Sequence, residues 1–150
     1  MNDVSATGLA LVVQASKTFP SGIFITQFAD DADPLDLPAV DIAQTGMDIN
    51  GNLVSWSTPT PQTVTINVLA GSEEDQNLAI LLDANTAKRG RRAAGDNITM
   101  VASYGNGSTT TARNGRITNG SRGSSVAGAG RLKSKQYIFV FQDFDFTRNR

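Results

Sequence analysis

Thr63-Val64-Thr65-Ile66-Asn67-Val68-Leu69 alternates polar and apolar side chains with a period of two. Successive strand residues point to opposite faces, so Val64, Ile66 and Val68 share one face while Thr63, Thr65 and Asn67 share the other. That is the pattern of a half-buried strand. It recurs at residues 9–13, 23–28, 53–57 and 98–103. Residues 137–141 (YIFVF) are apolar on both faces, which predicts a central strand covered from two sides. After Gln142 that strand becomes amphipathic: Phe144 and Phe146 keep one face, and Asp143 and Asp145 take the other as a solvated face. The chain is therefore expected to be mainly β, with Trp56, Phe139 and Phe141 buried.

Turn chemistry joins these strands into hairpins. Asn50-Gly51 and Asn106-Gly107 each separate two candidate strands. Both central positions of a type I′ turn need positive φ, which Asn and Gly tolerate best, so type I′ turns are expected at both. Asn114-Gly115 and Asn119-Gly120 are candidates for further turns or bulges.

One helix is predicted over residues 73–87. Ser72 is suited to the N-cap, Asp75 to the third helical position of a capping box, and Glu73, Glu74 and Asp75 to the positive end of the helix dipole. Leu78, Leu81 and Leu82 follow at helical spacing. Lys88 and Arg89 suit the negative end, and Gly90 suits the stop. Two segments are predicted as loops. Residues 28–38 (FADDADPLDLP) hold two prolines and four aspartates, a poor composition for a sheet interior. Residues 104–130 are rich in Gly, Ser, Thr and Asn, with few large apolar side chains. They are expected to contribute little to the core, and to be either flexible in the free molecule or, the favoured reading, a long hairpin that becomes ordered against a partner.

Charge divides the chain near Ala87. Through that residue eleven acids face one base, a net of −10; from Lys88 onward twelve bases face three acids, a net of +9. Separate blocks of opposite sign allow one copy to attract the next, and they equally allow cancellation within one molecule. The acids Asp30, Asp31 and Asp33 and the bases Arg89, Arg91, Arg92, Arg113 and Arg116 are the candidate assembly-interface residues.

The 150-residue chain contains no Cys and no His, so it has no thiol nucleophile, no disulfide and no Cys-ligated zinc. It also lacks the usual general base of neutral pH. No apolar run approaches the ~20 residues that cross a bilayer. The first residues carry an acid and no base, unlike a secretion signal, so a soluble protein made in a cytoplasm is expected. At this length a single domain over residues 1–150 is expected. The aspartates of residues 30–36 suit a hard cation by type. Counted from Asp31, however, no glycine stands at the sixth position and no glutamate at the twelfth, so a structural acidic loop is expected. Residues 128–134 lack the spacing of a phosphate-binding loop. No catalytic, cofactor or metal site is predicted.

Four ordered segments carry a family resemblance: residues 18–34 (TFPSGIFITQFADDADP), 50–57 (NGNLVSWS), 71–82 (GSEEDQNLAILL) and 129–141 (AGRLKSKQYIFVF). Together they resemble a tail tube protein of contractile-tailed bacteriophages, over about residues 8–141. The resemblance implies a β-barrel or sandwich with one helix, six copies to a ring, and rings stacked into a hollow tube. It implies inner strands joined into a continuous barrel through which DNA passes without specific binding. It further implies kinship with the tubes of type VI secretion systems and pyocins. Tail sheath and baseplate or terminator proteins are the implied partners, with no membrane involved. The implied location is the virion tail, assembled in the host bacterial cytoplasm. Relatives of this kind are sometimes labelled tail fibre proteins, so another tail or baseplate component is an alternative. A nucleic-acid-binding β-barrel using residues 88–92 and 131–135 on phosphates is a further one. It lacks the interleaved aromatic residues of a stacking platform.

A DNA conduit needs few binding wells, because each phosphate paired with a fixed base slows passage. The lumen is therefore expected to be acidic or neutral. Asp41 and Asp48, flanking the Asn50-Gly51 turn, are its candidate lining residues. The bases of the second half are expected at contacts between subunits or rings, or on the outside.

Overall fold

The structure, a computed structural model, describes residues 7–30 and 32–148. Within them run β1 (Ala10–Ala15), β2 (Phe19–Ile25), β3 (Leu35–Asp36), β4 (Ala43–Met47), β5 (Leu53–Ser57) and β6 (Gln62–Val68). Helix α1 (Glu73–Ala84) follows, then β7 (Ile98–Ser103), β8 (Thr109–Gly120) and β9 (Lys135–Thr147). Seven strands form one antiparallel sheet in the order β2-β1-β7-β8-β9-β6-β3, and β4 pairs with β5 in a separate ribbon. The expectation of a mainly β chain with one helix holds. The large sheet is open, with β2 and β3 at its edges and no closed barrel within one chain.

The two longest strands carry the architecture. β7 pairs with residues 109–115 of β8, whereas β6 pairs with residues 135–141 of β9. β8 and β9 thus run through two staggered halves that share one core. Register shifts near Asn114 and Asn119 mark where β8 bends, and Asn114 has a φ of 53°. Both Asn-Gly pairs of β8 are therefore bulges, which sharpen the local twist and let a strand turn a corner.

The period-two reading is borne out in β6: Val64, Ile66 and Val68 are buried, and Thr63, Thr65 and Asn67 half-buried. β9 is central as expected, between β8 and β6, with Tyr137, Phe139 and Phe141 fully buried. Phe139 and Phe141 stack with ring centroids 6.2 Å apart. Leu78 and Leu81 of α1 close the core over the apolar face.

Residues 104–130 depart from the long hairpin expected of them. A tight turn ends at Ser108, residues 109–120 then form the strand between β7 and β9, and only residues 121–134 are loop. Its small residues misled the sequence reading because they sit where aromatic neighbours fill the space. A Cβ on Gly115 would run into the Phe141 ring, and one on Gly120 would lie 2.7 Å from Leu82. The glycines admit the core's bulk and do not signal its absence.

Three smaller expectations are corrected. The turns are not type I′, since Asn50 and Asn106 lack positive φ and only Gly51 (82°) and Gly107 (90°) have it. In each, two bonds close a three-residue loop: the Asp48 amide donates to the Asn52 carbonyl and the Gly51 amide to the Asp48 carbonyl, with Tyr104, Gly107 and Ser108 matching them. This is the hairpin with a glycine bulge. Side chains select it, because Asp48 accepts from the amides of Asn50 and Asn52, and Asn106 from that of Ser108. The helix ends at Ala84, short of residue 87, because the Asn85 side chain donates both to the Leu81 carbonyl and to Asp96. Trp56 is not buried: it is 51% exposed on the separate ribbon.

Candidate assembly surface

The β4–β5 ribbon is an arm with an amphipathic build. Cross-strand pairing sets Gln44 beside Trp56 and Gly46 beside Val54 on one face. Gly46 leaves room for the Trp56 ring, which a Cβ there would touch at 3.8 Å. Ile42 continues that face, its carbonyl accepting from the Thr58 amide. Ala43, Thr45, Ser55 and Ser57 take the opposite face, and Met47, Ile49 and Leu53 crowd the tip. Ile42, Met47, Val54 and Leu53 are all about half exposed or more, and Ile49 is 99% exposed. At roughly 25 cal/mol per Å² of apolar surface, leaving six large hydrophobic side chains in water forgoes several kcal/mol of burial. A two-stranded ribbon is also marginal on its own in water.

Where the arm joins β6, Pro59, Thr60 and Pro61 help line a groove of about 750 Å³, together with Asn97, Asn114, Arg116, Thr118 and Val140. Asp96 borders it, but its carboxylate is already committed. It accepts from the backbone amides of Lys17 (2.8 Å) and Thr18 (3.0 Å), from the Thr18 hydroxyl (2.5 Å), and from the Asn85 side chain (2.8 Å). Burial alone would raise its pKa, but these donors outweigh burial and hold it below the ordinary carboxylate value. Asp96 thereby ties the β1–β2 turn, the helix end and the start of β7 into one joint.

A second buried joint seats the helix. Asp75 accepts from the Gly71 amide at 3.0 Å and from the Tyr137 hydroxyl at 3.0 Å, and Lys135 approaches it at 3.4 Å. Its backbone amide donates the expected capping bond to the Ser72 hydroxyl at 3.2 Å. Burial, then the Asp75 carboxylate, push the Tyr137 pKa well up, so the phenol stays a donor. These saturated contacts are structural: each polar atom holds an element in place and leaves no free base or nucleophile.

The candidate interface charges divide into bound and free. Arg131 grips Asp30 with two bonds of 3.0 and 3.1 Å, and this lowers the Asp30 pKa. Asp31 lies outside the described residues. Asp33 is exposed and lines, with Asp36, Thr65 and Asn67, an acidic groove of about 540 Å³. Arg91 folds back on the helix end, donating to the Asp83 carbonyl at 2.7 Å, and Lys88 pairs with the Asp83 carboxylate at 2.9 Å. Of the two cations expected at the helix end, Lys88 is there and Arg89 is not; Arg91 takes that place, both reaching back from a turn closed by Gly90 (φ 77°) and not from the helix itself. Arg89 and Arg92 are exposed, with no ion pair among the described residues.

Arg113 and Arg116 both project from β8 on the face away from the core. Arg116 sits across from Val140, which sits across from Thr63 on the half-polar face of β6, and Arg113 lies 4.0 Å from Asp145. Asp41 is exposed at the base of the arm. Asp48 is exposed at its tip, where bonds from Asn52, chiefly its backbone amide, lower its pKa. The sequence brought the arm's turn to notice and missed the arm. Its signal was present in residues 42–57, whose apolar side chains have no matching strand to meet. Among the described residues no group of three or more carboxylates could hold a metal ion, and no helix is long and apolar enough to cross a membrane.

Known proteins share this architecture. The fold is similar to the sheath/tube terminator of the PVC extracellular contractile injection system in its extended state (TM-score 0.56, 14% identity, 99% of each chain covered). It is similar to the tube-terminating cap of the anti-feeding prophage (0.55, 11% identity, 99% of this chain and 95% of that one). It is also similar to a chain of the PVC sheath–tube complex (0.50, 13% identity, 93% and 88% covered). At these identities the likeness is one of fold. No curated protein sequence matches the chain. The family described as Tail fiber protein gp32 matches residues 2–145, and the chain belongs to that family.

Proposed function

We propose that the protein is a structural component of a contractile phage tail, and specifically the repeating subunit of its tail tube. The observation that carries this is the arm: an apolar, two-stranded extension is unfavourable in a free monomer and is accounted for by burial in an assembly. The open sheet supports the same reading. Residues 143–147 of β9 and 116–120 of β8 have no strand on their outer edges among the described residues, and exposed edges are templates for further pairing. Six copies joined edge to edge would form a ring, and rings stacked through unlike surfaces would form an open-ended tube.

In this reading DNA passes through a neutral to acidic channel without specific binding. Asp41 and Asp48 are its candidate carboxylates, and Arg113 is partly offset by Asp145. Exposed Arg89, Arg92 and Arg116, with Asp33, take the contacts between copies. Sheath, baseplate and terminator proteins are the proposed partners, the virion tail the proposed location, and the role is mechanical and not enzymatic.

A second reading is a terminator, cap or baseplate component, and the fold likeness to a terminator and to a cap favours the first two. Sedimentation of the purified protein over a concentration series separates the two. A tube subunit grows into particles of rising length, whereas a terminator or cap stops at one ring size. A protein that remains monomeric throughout would refute both.

A further inference from the structure

We infer that the arm of one copy seats its Ile42–Val54–Trp56 face in the 750 Å³ groove beside Arg116 of a second copy. This rests on the polymer reading above and names the surfaces that would join the subunits.

Three observations carry it. The arm presents Ile42, Val54 and Trp56 on one face, interrupted only by Gln44, with Trp56 half exposed over Gly46. The groove has the volume of a cleft that takes a compact apolar group, in the range of about 300–1,000 Å³, and Pro59, Pro61 and Val140 among its lining offer apolar surface. Charge then selects the pairing. Residues 41–60 hold two acids, Asp41 and Asp48, and no base. The groove's accessible ionic group is the exposed Arg116, since Asp96 is buried and held by its own donors. An acidic arm is therefore steered toward a basic groove, and a groove toward an arm, on every copy.

Arm and groove are different patches of the same chain. Such a contact is heterologous: each copy offers a free arm at one side and a free groove at the other, so assembly propagates. Trp56 is the anchor, a large aromatic group entering a cleft, and Arg116 steers approach.

The absence of cysteine makes a direct test simple. Gln44→Cys places a thiol on the arm's apolar face and Thr118→Cys places one in the groove, both at exposed positions. The two variants are mixed and treated with a short bis-maleimide, with circular dichroism checking that each is folded. The expected result is a cross-linked heterodimer, reduced at least tenfold when the arm variant also carries Trp56→Ser or the groove variant Arg116→Glu. Arg116→Lys should retain most of it. If particles sediment as in the parent but Gln44→Cys links to Ile80→Cys on the helix and not to Thr118→Cys, the groove is the wrong receptor while the polymer reading stands. If no particles and no cross-links form at any concentration, both are overturned.

Discussion

Truncating Phe139 to alanine tests the packing from which the rest of the molecule is hung. Phe139 is fully buried on β9, stacked on Phe141 at 6.2 Å, and paired in register with Val64 on one side and Ile117 on the other. Removing a buried phenyl group loses its transfer free energy and leaves a cavity, together about 3–5 kcal/mol. Loss of the ring pair adds roughly 0.5–1.5 kcal/mol. The site cannot easily collapse, because Ile66, Tyr137 and Leu81 that share the core are themselves fully buried. A loss of about 4 kcal/mol is expected, a large part of the ~5–15 kcal/mol that holds a typical domain together. With a urea m-value of about 2 kcal/mol/M, the unfolding midpoint should fall by roughly 2 M. Urea titration followed by far-ultraviolet circular dichroism, at a concentration low enough to keep the protein monomeric, measures it. Val140→Ala on the opposite, half-buried face should cost about 1 kcal/mol and serves as the control. A loss below about 1 kcal/mol for Phe139→Ala would refute the central placement of β9.

Gly115→Ala should destabilise by about 1–3 kcal/mol, because its methyl group meets the Phe141 ring; an unchanged midpoint in the same titration would mean the two strands are not so closely packed. Asp96 has a depressed folded pKa, so its contribution is present above the unfolded value of about 3.9 and is lost as pH falls through the folded value. Titrations from pH 6 to pH 2 should show the parent losing more stability below about pH 4 than Asp96→Asn does, and parallel losses would contradict that assignment. Reversing Arg89, Arg91 and Arg92 to Glu should reduce polymerisation at fixed salt while leaving the monomer folded. Of the three, Arg91→Glu alone should also lower stability, since Arg91 holds the helix end. Polymerisation equal to the parent at the same salt would remove this cluster from the interface. Polymerisation of the parent should itself weaken as salt rises from 0.05 to about 0.5 M, as the Debye length shortens.

What the sequence disclosed, it disclosed through local rules. The alternation of residues 63–69 sets the faces of β6, and the Ser72–Asp75 capping pair starts the helix where expected. What it concealed depended on distant partners. The helix end is set by Asn85 reaching Asp96, eleven residues on. The strand at residues 109–120 looks too small to pack because its bulk is lent by Phe141, Tyr137 and Leu82. Trp56 looks like a core residue because hydrophobic content does not say whether burial happens within a chain or between chains. The charge blocks behave in both of the ways left open. Asp30–Arg131 and Asp75–Lys135 cancel across the blocks within one molecule, while Arg89, Arg92 and Arg116 stay exposed.

Electron cryo-microscopy of the purified, assembled protein tests the central claim most directly. The account predicts stacked rings around an open channel, with Trp56 buried between copies and a channel surface that is neutral or acidic. Particles that remain single copies at every salt and concentration would contradict it. So would a channel lined mainly by Arg113, Arg116 and Arg122, which would instead favour a barrel that binds nucleic acid.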